Sequence, residues 1–266
     1  MNNLSNAFKR ALAEGRTQLG YWLSLGNGYS AEVVAGAGYD WLLIDGEHSP
    51  AEMETMLCML QAIGAYPASA VVRPAINERV LIKRLLDIGA QTLLVPYVET
   101  ADEAVHAVES MRYPPRGKRG VGGATVRATR FGRVRDYAKT CEDELCLLVQ
   151  VETRRGLENL EAIAAVDGVD GIFIGPADLA TDLGFPGQAS HPQVLQVIDD
   201  AILRTRLAGK ACGILSLDPS LARRFQDLGC TFIAIGIDVV TLARGVELQL
   251  ESFRSNVGTA HQASSY

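Results

Sequence analysis

Lysine is scarce in this chain of 266 residues, and none of its lysines lies where a reactive amine would be needed. They are Lys9, Lys83, Lys118, Lys139 and Lys210, and none of them falls at the carboxyl end of an apolar, strand-like segment. Schiff-base chemistry requires a desolvated lysine inside the binding site. The sequence therefore argues against that chemistry, and it also lacks the GxSxG motif of serine hydrolases.

Cysteine spacing and net charge argue against several other classes of protein. The five cysteines are odd in number and form no CxxC pair, so we expect buried free thiols rather than disulfides or a zinc site. A formal net charge of −6 argues against binding to nucleic acid or to an anionic membrane. Met1–Arg10 has no apolar signal-peptide core, and no apolar run is long enough to span a bilayer. We therefore expect a cytoplasmic protein.

Apolar strand-like segments alternate with amphipathic segments of helical period, which is typical of repeated βα units. The predicted strands are Gln18–Leu25, Trp41–Asp45, Ala70–Arg73, Thr92–Pro96, Cys146–Glu152, Gly171–Ile174, Ala211–Leu215 and Phe232–Gly236. The predicted helices are Ala31–Ala37, Pro50–Ile63, Glu78–Ile88, Ala101–Met111, Gly156–Ala165, Pro192–Leu207, Pro219–Leu228 and Val239–Phe253, with a short helical segment at Ala177–Leu183.

This alternation predicts an α/β fold, a closed (β/α)₈ TIM barrel formed by residues 1–254, followed by a flexible tail over residues 255–266. An open doubly wound sheet would need a dinucleotide fingerprint at its first turn. Gly26 and Gly28 match that fingerprint only in part, because Ala31 stands at the position of the third glycine.

Two predicted strands lead into carboxylates that could bind a metal. Gln150 and Glu152 close the fifth strand, and Asp178 follows the sixth. The carboxyl ends of parallel strands form the ligand-binding rim of such a barrel. Two hard oxygen ligands, completed by water and substrate, are the usual way to hold magnesium or manganese. We therefore predict a metal site at Glu152 and Asp178, with ion pairing to nearby arginines as the alternative.

The second and third strands end in residues suited to proton transfer and anion binding. Asp45 could accept a hydrogen bond from His48 and prepare it as a general base, unless the two are a capping aspartate and a structural histidine. Arg73 must pair with a carboxylate of the protein or of a ligand. For Glu47 a structural ion pair is expected. Backbone N–H groups around Ala177 could bind a substrate carboxylate.

Five motifs occur in a characteristic order along the chain. They are YDWLLIDGEH at 39–48, KRLLDIG at 83–89, RYPPRG at 112–117, VQVET at 149–153 and GVDGIFIGPADL at 168–179. Together they resemble the class II pyruvate aldolases of the 4-hydroxy-2-oxoheptanedioate aldolase family, which belongs to the phosphoenolpyruvate/pyruvate-binding barrel group. The similarity extends over nearly the whole chain.

The resemblance implies a role for each residue at the strand ends. His48 resembles the proton acceptor, and Arg73 resembles the group that stabilises an enolate-like transition state. Glu152 and Asp178 resemble the ligands of a divalent metal, which would be magnesium, manganese or cobalt. The expected substrate contacts are Arg73, Gln150, Gly175, Pro176, Ala177, Asp178, Trp22 and Leu215.

The resemblance also implies a homo-oligomer, a hexamer of dimers that exchange their last helix. Asp87 resembles the carboxylate that raises the basicity of the active-site histidine across a subunit boundary, a role that the residues alone would give to Asp45. The loop Gly122–Phe131, within the long irregular stretch from Tyr113 to about Val134, is expected from the resemblance to lie near the aldehyde half of the substrate. Arg127 or Arg130 in this stretch could then meet a distal carboxylate.

The expected reaction is reversible, metal-dependent cleavage of a 4-hydroxy-2-oxo acid to pyruvate and an aldehyde, as in aromatic catabolism. For 4-hydroxy-2-oxoheptanedioate the aldehyde would be succinate semialdehyde. Three alternatives remain open. They are cleavage of a 2-dehydro-3-deoxy sugar acid, decarboxylation of a 2-oxo diacid without a base, and a barrel that binds 2-oxo acids without catalysis.

Overall fold

All eight predicted strands form, and they pair in chain order until the last meets the first. The computed structural model describes residues 5–262, and its sheet is a closed parallel barrel, as predicted. The strands are β1 (Gln18–Leu23), β2 (Trp41–Asp45), β3 (Ser69–Arg73), β4 (Thr92–Val95), β5 (Cys146–Val151), β6 (Gly171–Ile174), β7 (Ala211–Leu215) and β8 (Phe232–Ile237). Since parallel neighbours can be joined only by a crossover, every strand ends at the same rim of the barrel.

Twelve α-helices accompany the strands within residues 5–262. They are α1 (Ala7–Ala13), α2 (Gly28–Ala35), α3 (Met53–Ile63), α4 (Arg79–Asp87), α5 (Ala101–Met111), α6 (Tyr137–Glu144), α7 (Arg154–Glu158), α8 (Leu160–Ala164), α9 (Pro176–Asp182), α10 (Pro192–Leu207), α11 (Pro219–Leu228) and α12 (Asp238–Gln262).

Several boundaries differ from the prediction because side chains capture backbone groups. β1 ends at Leu23 rather than Leu25, since the N–H groups of Ser24 and Leu25 donate to the carboxylate of Asp238. α2 begins at Gly28 because the side chain of Asn27 accepts the N–H of Ser30 at 2.9 Å.

Other differences concern whole helices and one thiol. The single helix predicted at 156–165 is two short helices that meet at Asn159, whose amide donates to the carbonyl of Glu99. α1 and α6 were not predicted. All five cysteines are free, as expected, but Cys58 lies on an exposed side of α3 rather than in the core.

A layer of aromatic residues fills the barrel interior at the amino ends of the strands. Phe8 of α1 closes this end, and its ring packs edge-on against Trp41 and Phe232 at centroid distances of 5.8 Å. Glycine is required opposite both large rings. A Cβ at Gly20 would overlap the indole of Trp41, and one at Gly213 would overlap the ring of Phe232. This packing leaves the opposite, carboxyl-end rim open for polar residues.

The last helix is longer than predicted. We expected this helix to end at Phe253 and a flexible tail to begin at residue 255. α12 instead continues to Gln262, and no proline occurs after Pro219 to interrupt it. The last four residues of the expected tail lie outside the described residues. Over the part of the chain that the structure describes, no helix is long and apolar enough to cross a membrane.

Replacing Gly20 by alanine should destabilise the barrel, because the new methyl group meets the fully packed ring of Trp41. Overpacking of this kind typically costs about 1–3 kcal/mol, which urea denaturation would measure. Gly36→Ala is the matched control. Gly36 has φ −72°, and its added Cβ would come no closer than 3.6 Å to other atoms, so the change should stay within about 0.5 kcal/mol. Equal stability of the two variants would contradict this account of the core.

Candidate active site

Apart from Asp87, the predicted catalytic and metal-binding residues lie at the carboxyl-end rim of the barrel. Asp45 and Arg73 are the last residues of β2 and β3 and lie opposite each other in the strand register. Gln150 and Glu152 stand at the end of β5, and Asp178 lies in the first turn of α9, directly after β6. Leu215 ends β7, where it packs at the edge of the inner core. A closed barrel thus gathers side chains that are far apart in the sequence, such as Asp45 and Leu215.

Arg73 and Asp45 form a buried, bidentate ion pair. Nε and Nη2 of Arg73 donate to the two carboxylate oxygens of Asp45 at 2.9 and 2.7 Å. The indole N–H of Trp22 donates to the same carboxylate at 3.1 Å, and the Trp22 ring lies 4.9 Å from the guanidinium carbon. Burial alone would raise the pKa of Asp45, but the hydrogen bonds and charge of Arg73 outweigh it and hold this pKa below its ordinary value. Arg73 therefore pairs with the protein, and Trp22 lies buried against that pair.

His48 relates to Asp45 differently from the prediction. Its backbone N–H, rather than its imidazole, donates to Asp45 at 3.3 Å, since Arg73 and Trp22 already occupy the carboxylate. The His48 side chain is 66% exposed, and its Nε2 lies 3.8 Å from a carboxylate oxygen of Glu47. The same oxygen accepts from Nη1 of Arg73 at 2.8 Å, so Glu47 forms the expected ion pair. Glu47 thus lies between Arg73 and the imidazole.

Glu152 and Gln150 form the second half of the site. Glu152 is only 2% exposed, and its carboxylate accepts the Gln150 amide and, at 3.0 Å, the backbone N–H of Tyr97. The amide oxygen of Gln150 is buried without a hydrogen-bond partner among the described residues. Gly175 must be glycine, because a Cβ there would overlap a carboxylate oxygen of Glu152. The site therefore leaves one acceptor unsatisfied, which a buried polar group rarely is.

Tyr97 is a site residue that the sequence analysis missed. It follows β4 and Pro96, and its hydroxyl lies 3.5 Å from a carboxylate oxygen of Asp178. Its backbone has φ +53°, a left-handed conformation that is unusual for an aromatic residue. No pattern in the sequence signals this geometry, because it arises from contacts with β5 and α9.

The carboxylates at this end of the site fit a divalent metal. Burial raises the pKa of Glu152 to about 7, and the negative charges of Asp178 and Glu47 act in the same direction, against the hydrogen bonds from Gln150 and Tyr97. Within residues 5–262 no group of three or more metal-binding side chains occurs, so the protein offers two carboxylates and not a closed cage. Magnesium and manganese are commonly held in this way, with water and substrate as the remaining ligands.

The segment after β6 places three more predicted contacts at the rim. Gly175 caps α9, Pro176 is its first residue, and Ala177 is exposed at its start. The missing N–H of proline costs nothing at a first helical position. The N–H of Ala177, like others in a first turn, has no carbonyl acceptor within the helix.

Asp87 and the long loop lie at the opposite end of the barrel. α4 ends at Asp87 shortly before β4 begins, which places Asp87 at the amino ends of the strands. There it accepts a hydrogen bond at 3.0 Å from Arg119, which is fully buried between Tyr113 and Tyr137. Asp87 therefore does not reach His48 of its own chain.

The loop arginine Arg127 is also remote from the rim of its own chain. Its Nη1 donates at 2.9 Å to the carbonyl of Ile88, next to the end of α4. Arg130 lies three residues further along, where its backbone turns left-handed at φ +50°. This differs from the expected position of the loop beside the aldehyde half. The loop joins α5 to α6, which leads directly into β5, and it therefore belongs to the amino end.

Comparison with known proteins gives consistent matches along the chain. The family model described as HpcH/HpaI aldolase/citrate lyase matches residues 18–245. The 4-hydroxy-2-oxo-heptane-1,7-dioate aldolase of Salmonella dublin is 56% identical over 244 residues, covering 92% of this chain and 93% of that protein.

Solved structures match with the same coverage. An HpcH/HpaI aldolase/citrate lyase family protein from Burkholderia cenocepacia J2315 has a TM-score of 0.91 at 42% identity, covering 94% of this chain and 100% of that one. The citrate synthase SbnG has a TM-score of 0.85 at 25% identity, covering 94% and 98%.

The raised pKa of Glu152 predicts how the stability of the metal-free protein depends on pH. In the unfolded chain this carboxyl returns to its ordinary pKa of 4.5, whereas it is about 7 in the folded protein. Its stabilising contribution is therefore complete below pH 4.5 and is lost as the pH rises to about 7, a loss of up to about 3 kcal/mol. Urea denaturation in the presence of a chelator should show this fall, and Glu152→Gln should remove it. An unchanged pH slope in Glu152→Gln would contradict the assignment.

Proposed function

This chain belongs to the HpcH/HpaI aldolase/citrate lyase family, and on that premise we propose that it reversibly cleaves a 4-hydroxy-2-oxo acid with the help of a divalent metal. Its relatives at 56% identity are named aldolases, and the chain is a carbon–carbon lyase. The proposed substrate is 4-hydroxy-2-oxoheptanedioate, which would give pyruvate and succinate semialdehyde in the cytoplasm. The observation that supports the proposal most is the meeting of Glu152, Gln150 and Asp178 with Arg73 and His48 at one rim.

The pyruvate half of the substrate would lie between β5 and α9. Glu152 and Asp178 would hold magnesium, manganese or cobalt, which when bound supplies Lewis-acid stabilisation of negative charge on the 2-oxo group. The amide oxygen of Gln150 is buried without a partner among the described residues and would accept a hydrogen bond from the bound substrate or a water molecule. The Ala177 N–H would bind the substrate carboxylate, while Gly175 and Pro176 would let the backbone approach the substrate closely.

Arg73 and His48 would have different roles in cleavage of the carbon–carbon bond. Arg73 keeps N–H groups for the substrate despite its ion pairs, because Nη1 and Nη2 each carry a second hydrogen. Its positive charge would stabilise the enolate oxygen as charge grows there in the transition state. The imidazole of His48 is accessible and would take the proton from the 4-hydroxyl, after which the carbon–carbon bond breaks.

A second copy of the chain would complete the assembly. Val239, Leu242, Val246, Leu250 and Phe253 recur every three or four residues along α12, and all of them are exposed. A groove of about 270 Å³ lies over β1, β8 and α11, where Leu19 and Ile235 leave the barrel wall uncovered. An apolar stripe and an apolar groove of this kind support exchange of α12 between two barrels.

Higher assembly would explain the position of Asp87. We propose a hexamer built from such dimers, in which the amino end of one barrel faces the rim of another. Asp87 of one subunit would then raise the basicity of His48 of its neighbour, since an adjacent carboxylate favours the charged imidazole. Arg119 holds Asp87 in place for this contact.

The decisive measurement of the proposed activity is pyruvate release from racemic 4-hydroxy-2-oxoheptanedioate, after chelation and again after manganese is added. We expect release to stop with the chelator and to return with manganese, because Glu152 and Asp178 would hold the metal. Pyruvate release that is unaffected by the chelator would contradict the assignment of these two residues as metal ligands. If no pyruvate is released under either condition, 4-hydroxy-2-oxoheptanedioate is excluded as a substrate.

His48→Ala is the matched variant for the same assay. It should abolish cleavage, a loss of at least about 100-fold for a missing general base, while manganese binding measured by calorimetry stays intact. Decarboxylation of oxaloacetate needs no base, so it should survive in this variant. Full cleavage by His48→Ala would take the histidine out of the mechanism.

Assembly through α12 predicts a specific effect of a charge on its apolar face. Leu242→Asp should lower the mass of the particle in sedimentation equilibrium, because a buried carboxylate without a partner opposes association. Leu207→Asp is the control, since Leu207 is 87% exposed at the end of α10, away from α12 and the groove. A wild-type monomer, or a Leu242→Asp variant with unchanged mass, would contradict the exchange.

A further inference from the structure

Two buried thiols lie against each other between the barrel wall and its outer helices. The sulfur atoms of Cys212, in β7, and Cys230, shortly before β8, are 3.8 Å apart. Both residues are free thiols and at most 1% exposed. We propose that this pair is a modification site, at which a peroxide converts the two thiols into a reversible disulfide between β7 and the start of β8. The proposal does not depend on the aldolase reaction.

The backbone beside the two cysteines is already held together. The N–H of Thr231 donates to the carbonyl of Cys212 at 2.8 Å, so the residue that follows Cys230 is hydrogen-bonded to β7. Both thiols belong to the same hydrophobic cluster as Phe225 of α11. Since the sulfur atoms of a disulfide are about 2.05 Å apart, these two must approach by about 1.8 Å. Rotation of the side chains supplies such a shift without a change in strand pairing.

An exposed arginine covers the chain next to Cys230. Gly229 has a left-handed backbone with φ +111°, and a Cβ added there would overlap the side chain of Arg206. Nη1 of Arg206 donates to the carbonyl of Leu228 at 2.8 Å, which holds the guanidinium over the end of α11. Because Arg206 is exposed and its side chain is long and flexible, movement of this one group would open the way from solvent toward the Cys230 sulfur.

The same arginine makes Cys230 the thiol that reacts first. The hydrogen bond with Cys212 and burial raise the pKa of the Cys230 thiol, whereas the positive charge of Arg206 acts in the opposite direction. The thiolate is the form that attacks an oxidant, and a neighbouring cation stabilises it. Cys212 then lies at the right distance to act as the second thiol, which prevents further oxidation of Cys230 by forming the disulfide.

The reaction with hydrogen peroxide takes place in two steps. The Cys230 thiolate attacks one peroxide oxygen, so that a sulfur–oxygen bond forms, the oxygen–oxygen bond breaks, and the leaving hydroxide takes up the thiol proton as water. The sulfur of Cys212 then attacks the sulfur of Cys230. The sulfur–oxygen bond breaks, and the hydroxyl group leaves with the Cys212 proton as a second water. The two sulfurs are oxidised and one molecule of peroxide is reduced.

The disulfide would join the two ends of one strand–helix–strand unit. The segment between Cys212 and Cys230 contains most of β7 and all of α11. α11 and β8 also line the groove that would receive α12 of a second copy. A cross-link of this kind restricts the unfolded chain more than the folded one. We therefore expect the oxidised protein to resist thermal unfolding better than the reduced protein.

The test is treatment of the folded protein with hydrogen peroxide, well below its unfolding temperature. The full chain would carry Cys58→Ser, because the exposed thiol of Cys58 could link two molecules. Peptide mapping without reduction should find Cys212 joined to Cys230, with the mass of two hydrogen atoms lost from the linked peptides. Calorimetry should show a rise in Tm of about 5 °C, and dithiothreitol should reverse both changes.

Two further variants in the same background isolate the pair. Cys230→Ser should give neither the linked peptides nor the rise in Tm, whereas Cys141→Ala, at a buried thiol of α6 outside the pair, should give both. The proposal would be overturned by linkage through other cysteines, by oxidation of Cys230 to a sulfinic acid, or by an unmodified pair at peroxide concentrations that oxidise Cys58 of the wild type. A linked pair without any rise in Tm would contradict the expected stabilisation.

Discussion

The buried pair between Arg73 and Asp45 is the interaction on which the candidate site depends. Asp45 accepts hydrogen bonds from Arg73, from the Trp22 indole and from the backbone N–H groups of Glu47 and His48. The pair thereby joins β1, β2 and β3 and fixes the turn that presents His48. Removing one partner from such a buried pair typically costs about 3–5 kcal/mol, because it leaves the other charge unpaired. The position of the His48 imidazole therefore depends on this buried pair remaining intact.

The charge balance at the rim explains why a metal fits on one side of it. Arg73 is paired with Asp45 and Glu47, whereas the negative charge of Asp178 acts on Glu152 and neither of these two carboxylates forms an ion pair among the described residues. Burial keeps the pKa of Glu152 high, so the protein alone holds this carboxyl partly protonated near neutral pH. A bound divalent cation would favour the ionised form, and metal binding and proton release are then coupled. The fold therefore buries Glu152 in a site whose negative charge would be balanced only when a cation binds.

The sequence predicted the elements that follow from periodicity and missed those that follow from side-chain competition. All eight strands were predictable, and so was the meeting of Arg73, Glu152 and Asp178, because strand ends of a closed parallel barrel share one rim. The partner of Asp45 was not predictable, because the side chains of both His48 and Arg73 could bind its carboxylate. Only the distances in the folded chain show that Arg73 does so. Tyr97 gave no signal at all, because its left-handed backbone depends on Glu152, 55 positions away.

The two ends of the barrel are built on different principles, and this difference bears on the role of Asp87. The rim combines the buried Arg73–Asp45 pair with groups that are exposed or only partly paired, whereas the amino end is closed by Phe8 and also carries the fully buried guanidinium of Arg119. Tyr113 and Tyr137 enclose Arg119, so the carboxylate of Asp87 is held without any contribution from a second chain. A preformed carboxylate loses little conformational entropy on association. If one barrel end faces another rim, the contact between Asp87 and the neighbouring His48 therefore requires docking alone and no rearrangement of the loop.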